Sequence, residues 1–345
     1  MQMKNNSKDP MGTGISIAFG AIISLVSIAC FLGMIFLPER ELTAETITGY
    51  SVLDQVQKDE GEYDLTIKLP PQVMEKNITV EEDPAHPYRG FIISVQGFLE
   101  TDLLDHPIGG SLNTIETLDY TQSSRMARFA ITTSDMREYR YKVEDGVFEL
   151  SLLTPAEVYD HLIVVDAGHG GEDTGYICGD AVEKDISLAI TLKLRDYFAE
   201  DENIKVFYTR LSDEDIPLSA RVGFANEIGA DLLVSIHVNS TASGRESAIN
   251  GASVRFRTDD EDGKSRELSK KVLDEFLKAT DAGSKGMLNG DDELVVRSAK
   301  VPVCMLECGY ITKEEERESL ISDKYQDEIA GALHKAIISF LKSEE

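Results

Sequence analysis

Two histidines stand directly after apolar runs of the sequence, where their side chains could do chemistry. His169 follows the run at residues 162–165 inside the glycine-rich stretch VDAGHGG, and His237 follows the run at 232–236. Glycines let the backbone turn sharply, so the imidazole of His169 can project from its loop. Because neutral imidazole is a common metal ligand, both histidines are candidate members of a metal site.

Two glutamates complete a possible catalytic set. Glu183 lies just before a helical pattern that we expect to begin near Ser187, within reach of the loop that carries His169, and Glu307 ends a predicted strand at 303–306. A catalytic zinc site takes three protein ligands from histidine and carboxylate and leaves a fourth position for water. Glu183 could be the third ligand. A carboxylate that does not bind the metal, such as Glu307, could act as general base.

Each of these residues also has an ordinary structural explanation. An isolated histidine at a strand end is usually only a hydrogen-bonded polar residue. Glu183 could stabilise the start of a helix electrostatically, and Glu307 could be an exposed acid. The catalytic explanation is favoured because four groups fall at one edge of one inferred sheet, and ligands of open α/β sheets converge at the carboxyl ends of the strands.

The elements that must position these residues follow an alternating pattern from residue 155 onward. Apolar strand patterns alternate with helical spacing, which predicts an α/β domain over 155–345 whose mixed, largely parallel sheet is flanked by helices. The strands are expected at 162–165, 204–208, 232–236, 253–256 and 303–306, and the helices at 187–198, 219–228, 265–279 and 323–341.

A different pattern occupies residues 63–154, where helical periodicity is scarce. Leu65, Ile67 and Leu69 alternate with polar residues, and Asp145-Gly146 separates two alternating runs. Asp-Gly favours the positive φ angles of a tight hairpin turn. These features predict a small β-sandwich domain before the catalytic domain.

The first 62 residues are expected to form a cytoplasmic tail, a transmembrane signal anchor and a linker (1–12, 13–38 and 39–62). No charged residue occurs between Asp9 and Glu39, and about 20 apolar residues are enough to cross the hydrocarbon core. A cleavable signal peptide fits less well, because the apolar run is long and no small-x-small cleavage site follows it. Lys4 and Lys8 precede the run, which predicts a single-pass cell-membrane protein with its N-terminus inside and its catalytic domain extracytoplasmic.

The net charge of the chain argues against one class of partner, and the spacing of its cysteines argues against one disulfide. The chain has 345 residues, with 34 basic and 62 acidic side chains and a formal net charge of -28. Such a charge repels phosphate backbones, so we expect no nucleic-acid partner. The cysteines at 30, 178, 304 and 308 have no CxxC spacing, and Cys304 and Cys308 on one strand would lie about 13 Å apart, too far for a disulfide.

Residues 161–341 resemble the catalytic domain of the zinc-dependent N-acetylmuramoyl-L-alanine amidases of the amidase_3 type. The matching stretches, in the family's order, are VVDAGHGGEDTG, EKDISLAI, TRLSDEDIPLSARVGFAN, ADLLVSIHVNS and LVVRSAKVPVCMLECGYIT. The resemblance implies that His169, Glu183 and His237 bind one Zn²⁺ and that Glu307 is the catalytic glutamate. It also implies cleavage of the amide between N-acetylmuramic acid and L-alanine of peptidoglycan, in cell-wall remodelling.

Some positions depart from the family pattern without removing a ligand. Thr174 and Tyr176 replace the small residue and the proline that are usual after the GHGG turn, Cys308 follows the catalytic glutamate, and Tyr310 stands where phenylalanine is common. These departures bear on substrate preference rather than on activity.

Substrate contacts and access to the site are predicted less directly. Asn239 and Arg297 are candidate substrate-binding residues. Some relatives insert a blocking helix before the segment that corresponds to 294–297, and this chain has room there for only one ordinary helix. We therefore expect an open site and an active 155–345 fragment, while the sequence leaves protein activators unknown.

Residues 111–153 resemble, more weakly, the AMIN-type β-sandwich that precedes many such amidases and targets them to the wall. The expected partners are then peptidoglycan and, through the N-terminal helix, the cytoplasmic membrane. Two other functions stay open: an inert wall-binding scaffold, and a zinc peptidase that cuts within the stem peptide. The intact set of two histidines and two glutamates argues against the scaffold.

Overall fold

The structure, a computed structural model, describes residues 49–58 and 61–344. The predicted cytoplasmic tail and signal anchor, together with Cys30, lie outside the described residues. Within the described part of the chain, no helix has both the length and the apolar character needed to cross a bilayer. Three cysteines, Cys178, Cys304 and Cys308, are free thiols.

Two five-stranded sheets form a β-sandwich in the first half of the described chain. One sheet has the strand order β1-β7-β8-β5-β4 and the other has the order β2-β6-β3-β10-β9. The strands are β1 Tyr50–Ser51, β2 Gln57–Lys58, β3 Leu65–Lys68, β4 Ile78–Glu82, β5 Gly90–Gln96, β6 Ile108–Gly110, β7 Ile115–Ser123, β8 Met126–Thr133, β9 Glu138–Glu144 and β10 Val147–Leu153. Two short helices, α1 Asp102–Asp105 and α2 Pro155–Val158, accompany them.

The sandwich is held by the alternating residues that the sequence displays. Phe129 and Ile131 of one sheet and Phe148 and Leu150 of the other are fully buried in a single core. At the β9–β10 turn, Asp145 has φ 50° and Gly146 has φ 75°, as a two-residue hairpin with two positive φ angles requires. Because β1 and β2 lie before residue 63, the sandwich begins inside the segment that we expected to be a linker.

The second half contains a six-stranded mixed sheet with the order β14-β11-β15-β18-β16-β17. Its strands are β11 His161–Ala167, β14 Ile204–Tyr208, β15 Leu232–Asn239, β16 Ala252–Phe256, β17 Ser284–Asn289 and β18 Val303–Tyr310, and a small hairpin pairs β12 Ile177–Cys178 with β13 Ala181–Val182. Only the β16–β18 pair is antiparallel in the six-stranded sheet as described. The helices are α3 Glu183–Phe198, α4 Leu218–Ile228, α5 Lys264–Ala279, α6 Leu294–Ser298, α7 Glu314–Leu320 and α8 Asp323–Glu344.

Helices cover both faces of this sheet, which explains why its central strands are apolar almost throughout. On one face, alternate residues of β11, β15 and β18 pack with α3, α5 and α8 in one core. On the other face, the intervening residues pack with α4 and α6. The sheet is therefore buried on both sides, which favours exposed polar groups at the ends of its strands.

The observed bounds differ from the expected ones where the functional residues lie. Helix α3 begins at Glu183, not near Ser187, so Glu183 is part of the helix. Strands β15 and β18 extend to Asn239 and Tyr310, so His237 and Glu307 lie within the strands rather than at their ends. Strands β15 and β18 continue to pair with each other beyond their apolar runs, which keeps both residues in the sheet.

Candidate metal centre

His169, Glu183 and His237 lie together at the carboxyl end of the sheet. One ligand atom from each lies within 4.8 Å of the other two. The Oε1 atom of Glu183 is 3.2 Å from Nε2 of His169 and 3.0 Å from Nδ1 of His237. The two imidazole rings are nearly perpendicular, at 80°, with their centroids 4.9 Å apart. Three side chains from three different elements thus converge on one point.

Two of the three ligand separations in this cluster suit a zinc ion. Zinc bonds of 2.0–2.1 Å in a tetrahedral site place neighbouring ligand atoms about 3.3 Å apart. The two distances from Glu183 Oε1, 3.2 and 3.0 Å, are close to that separation. Two imidazoles and one carboxylate are also a donor set of catalytic zinc, which keeps one position for water or substrate.

Glu183 is held rigidly because both its oxygens accept backbone hydrogen bonds. Its side chain is 1% exposed. Oε1 accepts from the N–H of Val238 and Oε2 accepts from the N–H of Tyr176, each at 3.0 Å. Burial favours the neutral acid, but the hydrogen bonds from His169 and His237 outweigh it and hold the pKa of Glu183 far below its usual range. The group is therefore a carboxylate, ready to bind a cation.

The same contacts with Glu183 shift the pKa values of the two imidazoles in the opposite direction, upward. Burial disfavours the charged form of His237, but its hydrogen bond with Glu183 outweighs that effect and raises its pKa to about 9. The pKa of His169 is raised for the same reason, again against the effect of burial. Protons and a metal ion thus compete for the same nitrogens in this site.

The turn that carries His169 depends on backbone conformations that side chains rarely adopt. His169 itself has φ 59°. A Cβ atom at Gly168 would approach the ring of His237 to within 2.7 Å, so only glycine fits there. Asp173 closes the turn, because its Oδ2 lies 2.8 Å from Nδ1 of His169. Pairing of this kind fixes the orientation of a metal-binding imidazole.

A buried ion pair stabilises the turn that carries His169. Arg221 of α4 donates to Oδ1 of Asp166 at 2.8 Å and to the carbonyl oxygen of His169 at 2.7 Å. Burial alone would raise the pKa of Asp166, but Arg221 and a hydrogen bond from Ser235 hold it below its usual value. The ion pair therefore links β11, α4 and β15 beneath the candidate metal ligands.

A second buried arginine links the turn to helix α3. Arg210 donates to the carbonyl oxygens of Gly168 and Lys184, at 2.8 and 2.9 Å. Lys184 follows Glu183 in the first turn of α3. Arg210 therefore couples the segment that carries His169 to the helix that carries Glu183. Sequence reasoning missed Asp173, Arg210 and Arg221. The two arginines contact the turn across 42 and 52 positions, so no local pattern marks them.

Glu307 lies beside the three candidate ligands. It is the register partner of His237 in the parallel β15–β18 pair, and its side chain is 10% exposed. Burial raises the pKa of Glu307, against the effect of His237 and of Arg255, whose Nε donates to Oε1 at 3.3 Å. Arg255, on β16, was not among the predicted site residues.

The two predicted substrate contacts lie in different surroundings. Asn239 is the last residue of β15, where the pairing register shifts after His237. Such irregularities often re-aim a side chain next to a site. Arg297 is on α6, and its Nη1 donates to the carbonyl oxygen of Asp292. The hydrogen bonds and ion pairs of the described residues do not join Arg297 to His169, Glu183, His237 or Glu307.

Helix α5 fills the stretch in which some relatives carry a blocking helix. Its apolar residues Leu268, Val272 and Phe276 are buried in the core shared with α3 and α8. In residues 257–293, all of which are described, α5 is the only helix. It is an ordinary packing helix, as expected from the length of the segment.

Comparison with known proteins identifies the family. Residues 163–339 match the family described as Amidase_3, N-acetylmuramoyl-L-alanine amidase. The uncharacterized protein YqiI of Bacillus subtilis (strain 168) is 34% identical over 178 residues, which cover 52% of this chain and 84% of YqiI. The germination-specific N-acetylmuramoyl-L-alanine amidase of the same strain is 26% identical, with 52% of this chain and 79% of that protein covered.

A solved structure supports the same assignment. The crystal structure of N-acetylmuramoyl-L-alanine amidase from Clostridium difficile 630 aligns with a TM-score of 0.50 and 31% identity, over 54% of this chain and 98% of that one. The family match over residues 163–339 covers the domain that contains the candidate metal centre. This chain therefore belongs to the N-acetylmuramoyl-L-alanine amidase family and is an enzyme of that class.

Proposed function

We propose that this chain binds one Zn²⁺ through His169, Glu183 and His237 and uses it, with Glu307, to cleave the amide between the lactyl group of N-acetylmuramic acid and L-alanine of peptidoglycan. The observation that carries the proposal is the contact of Glu183 Oε1 with both imidazoles, at 3.2 and 3.0 Å, beside a further buried glutamate. This is the arrangement that a hydrolytic zinc site requires.

Each side chain of the site would have a distinct role in the reaction. A zinc ion in this site supplies a Lewis acid that polarises the amide carbonyl and lowers the pKa of a water molecule. Glu183 and the two imidazoles hold it, and Asp173 orients His169. Glu307 takes a proton from the attacking water and delivers it to the departing amine. Burial suits Glu307 to this task, because a raised pKa lets it hold the proton between the two steps.

Substrate orientation and location belong to the same proposal. Asn239 and Arg297 remain predicted substrate contacts, and the β-sandwich is a candidate wall-binding domain of the AMIN type. We also propose that residues 13–38 anchor the chain in the cytoplasmic membrane with the catalytic domain outside. The uncharged apolar segment and the extracytoplasmic location of peptidoglycan support this topology.

Product analysis tests the proposed reaction. Peptidoglycan digested by the zinc-loaded full-length chain should release stem peptides with a free L-alanine N-terminus, which mass spectrometry identifies. A chelator should abolish release. Cuts inside the peptide would instead support a zinc peptidase, and the absence of any product would support an inert scaffold.

Glu307→Gln separates catalysis from metal binding. The substitution keeps the size of the side chain but cannot accept the proton, so we expect one zinc per chain and a loss of turnover of at least about 100-fold, as for other general bases. Unchanged turnover would remove Glu307 from the mechanism. Loss of zinc would show that it acts as a ligand instead.

A further inference from the structure

Arg255 places a guanidinium group beside Glu307 without a close bidentate partner. Its Nε is 3.3 Å from Glu307 Oε1, while its Nη1 is 3.7 Å from Asp292 and 3.9 Å from Glu293. Charge-assisted hydrogen bonds to carboxylates are usually 2.7–2.9 Å long. The side chain is 22% exposed. The paired nitrogens of the guanidinium are therefore within reach of a further anion at the surface.

The chemistry of the proposed reaction tells which part of the substrate lies near Arg255. Glu307 delivers its proton to the departing amine, so its carboxylate must meet the nitrogen of L-alanine. Arg255 contacts the same carboxylate. In the proposed reaction, a guanidinium that contacts this carboxylate would lie on the side of the scissile amide from which the stem peptide leaves, rather than on the glycan side.

The distances suit an anionic group on the second residue of the stem peptide. Two extended residues span about 7 Å, which separates the alanine nitrogen from the α-carboxylate of the next residue. Arg255 Nε is 3.3 Å from Glu307, and a proton-transfer contact from Glu307 to the amine adds about 3 Å. The α-carboxylate of the second stem residue would thus reach the guanidinium.

Three acids near Arg255 compete with a substrate carboxylate for the guanidinium. Because Glu307, Asp292 and Glu293 all repel a substrate carboxylate, such a group binds only by taking the place of one of these acids at Arg255. Asp292 is 75% exposed and can turn into solvent. A planar guanidinium is also the side chain best suited to bidentate binding of a carboxylate.

We infer that Arg255 binds the free α-carboxylate of the second stem-peptide residue and makes the enzyme prefer stems with this carboxylate over stems in which it is amidated. The inference rests on the proposed amidase function. Arg255 would be a specificity-determining residue that touches substrate, in addition to its contact with Glu307.

The test compares two polymeric substrates that differ in one group. Uncross-linked glycan strands are polymerised from synthetic precursors whose second stem residue is either D-glutamate or its α-amide, D-isoglutamine. The zinc-loaded full-length chain should cleave the carboxylate strand with a kcat/KM at least about tenfold higher, which is the low end for a hydrogen bond to a charged group. Arg255→Gln should reduce that ratio to nearly one, by lowering the value for the carboxylate strand. Arg255→Lys should keep part of it.

The controls separate binding from structure. A general loss of structure or of zinc would lower both rates together and leave the ratio unchanged. Arg195→Gln, an exposed arginine at the far end of α3 that pairs with Asp196, should leave both rates unchanged. A wild-type ratio near one, or a ratio that Arg255→Gln does not alter, would overturn the inference. Failure of the wild type to cleave either strand at the lactyl–alanine amide would instead overturn the proposed function.

Discussion

The Nδ1 atom of His169 lies 2.8 Å from Oδ2 of Asp173, four residues further along the same turn. This contact leaves Nε2 of the imidazole directed at Glu183, 3.2 Å away. Asp173 therefore decides which ring nitrogen faces the candidate metal position, although it does not belong to the ligand cluster itself. Carboxylate partners of this kind fix both the tautomer and the orientation of the ring.

Asp173→Asn should weaken zinc binding without unfolding the domain. The amide keeps the shape of the side chain but removes its charge, and loss of such a partner typically costs 10–100-fold in metal affinity. Competition titration with a zinc chelator measures the effect. Glu172→Gln, at the exposed neighbouring position, is the matched control and should bind zinc like the wild type. Equal affinities for the two variants would exclude a role for Asp173.

Gly168→Ala should disrupt the site more severely. The added methyl group would lie within 2.7 Å of the ring of His237, so that ring must move away from Glu183. We expect a loss of stoichiometric zinc, measured by atomic absorption, with the circular dichroism spectrum retained. In the control Gly223→Ala, on α4, the new methyl group meets nothing within 4 Å. That variant should keep its zinc and be as stable as the wild type or more stable, because alanine favours helices.

Arg221→Met should reduce the free energy of unfolding sharply. Arg221 and Asp166 are 3% and 1% exposed, and removal of one partner leaves a buried, unpaired charge. Such changes cost about 3–5 kcal/mol. The exposed pair Arg89–Glu227 provides the comparison, and Arg89→Met should cost at most about 1 kcal/mol. Urea unfolding of the two variants measures the difference, and equal losses would contradict the assigned role.

The metal-free protein should lose stability as the pH rises from neutral. The pKa of His237 is raised to about 9 in the folded chain, above an unfolded value of about 6.5. Its protonated form thus stabilises the fold fully below about pH 6.5, and the contribution is lost as the pH rises through about 9. The melting temperature of the chelated protein should therefore fall over this interval.

Zinc should remove that dependence, because a metal ion replaces the proton on the imidazole. The zinc-loaded protein should show a flatter profile over the same interval, and its zinc affinity should increase as the pH rises. Differential scanning fluorimetry with and without chelator gives both profiles. Identical profiles would show that His237 does not exchange a proton for the metal.

The positions of His169, His237 and Glu307 in the fold could be predicted because each follows a strongly apolar run of the sequence. His237 and Glu307 were expected at one edge of the sheet, and they are register partners there. Glu183 was placed before a helix because the apolar spacing starts later, whereas backbone hydrogen bonding starts at Glu183 itself. Periodicity detects the buried face of a helix, not its first turn.

The supporting residues could not be predicted from local patterns. Arg221 contacts Asp166 across 55 positions, and Arg255 contacts Glu307 across 52. Contacts of this range depend on how the strands are ordered in the sheet. The same holds for β1, a two-residue strand that exists because Tyr50 pairs with Tyr120. Its own two residues carry no recognisable strand signal.

The ligand cluster draws on chain segments that are far apart in sequence, with Glu183 and His237 separated by 54 positions. An ion shared by them would act as a removable cross-link, absent from the unfolded chain. Each tenfold increase in free zinc above the dissociation constant would then add about 1.4 kcal/mol to the stability of the folded domain. The lifetime of this enzyme would thus be set partly by the zinc content of its surroundings.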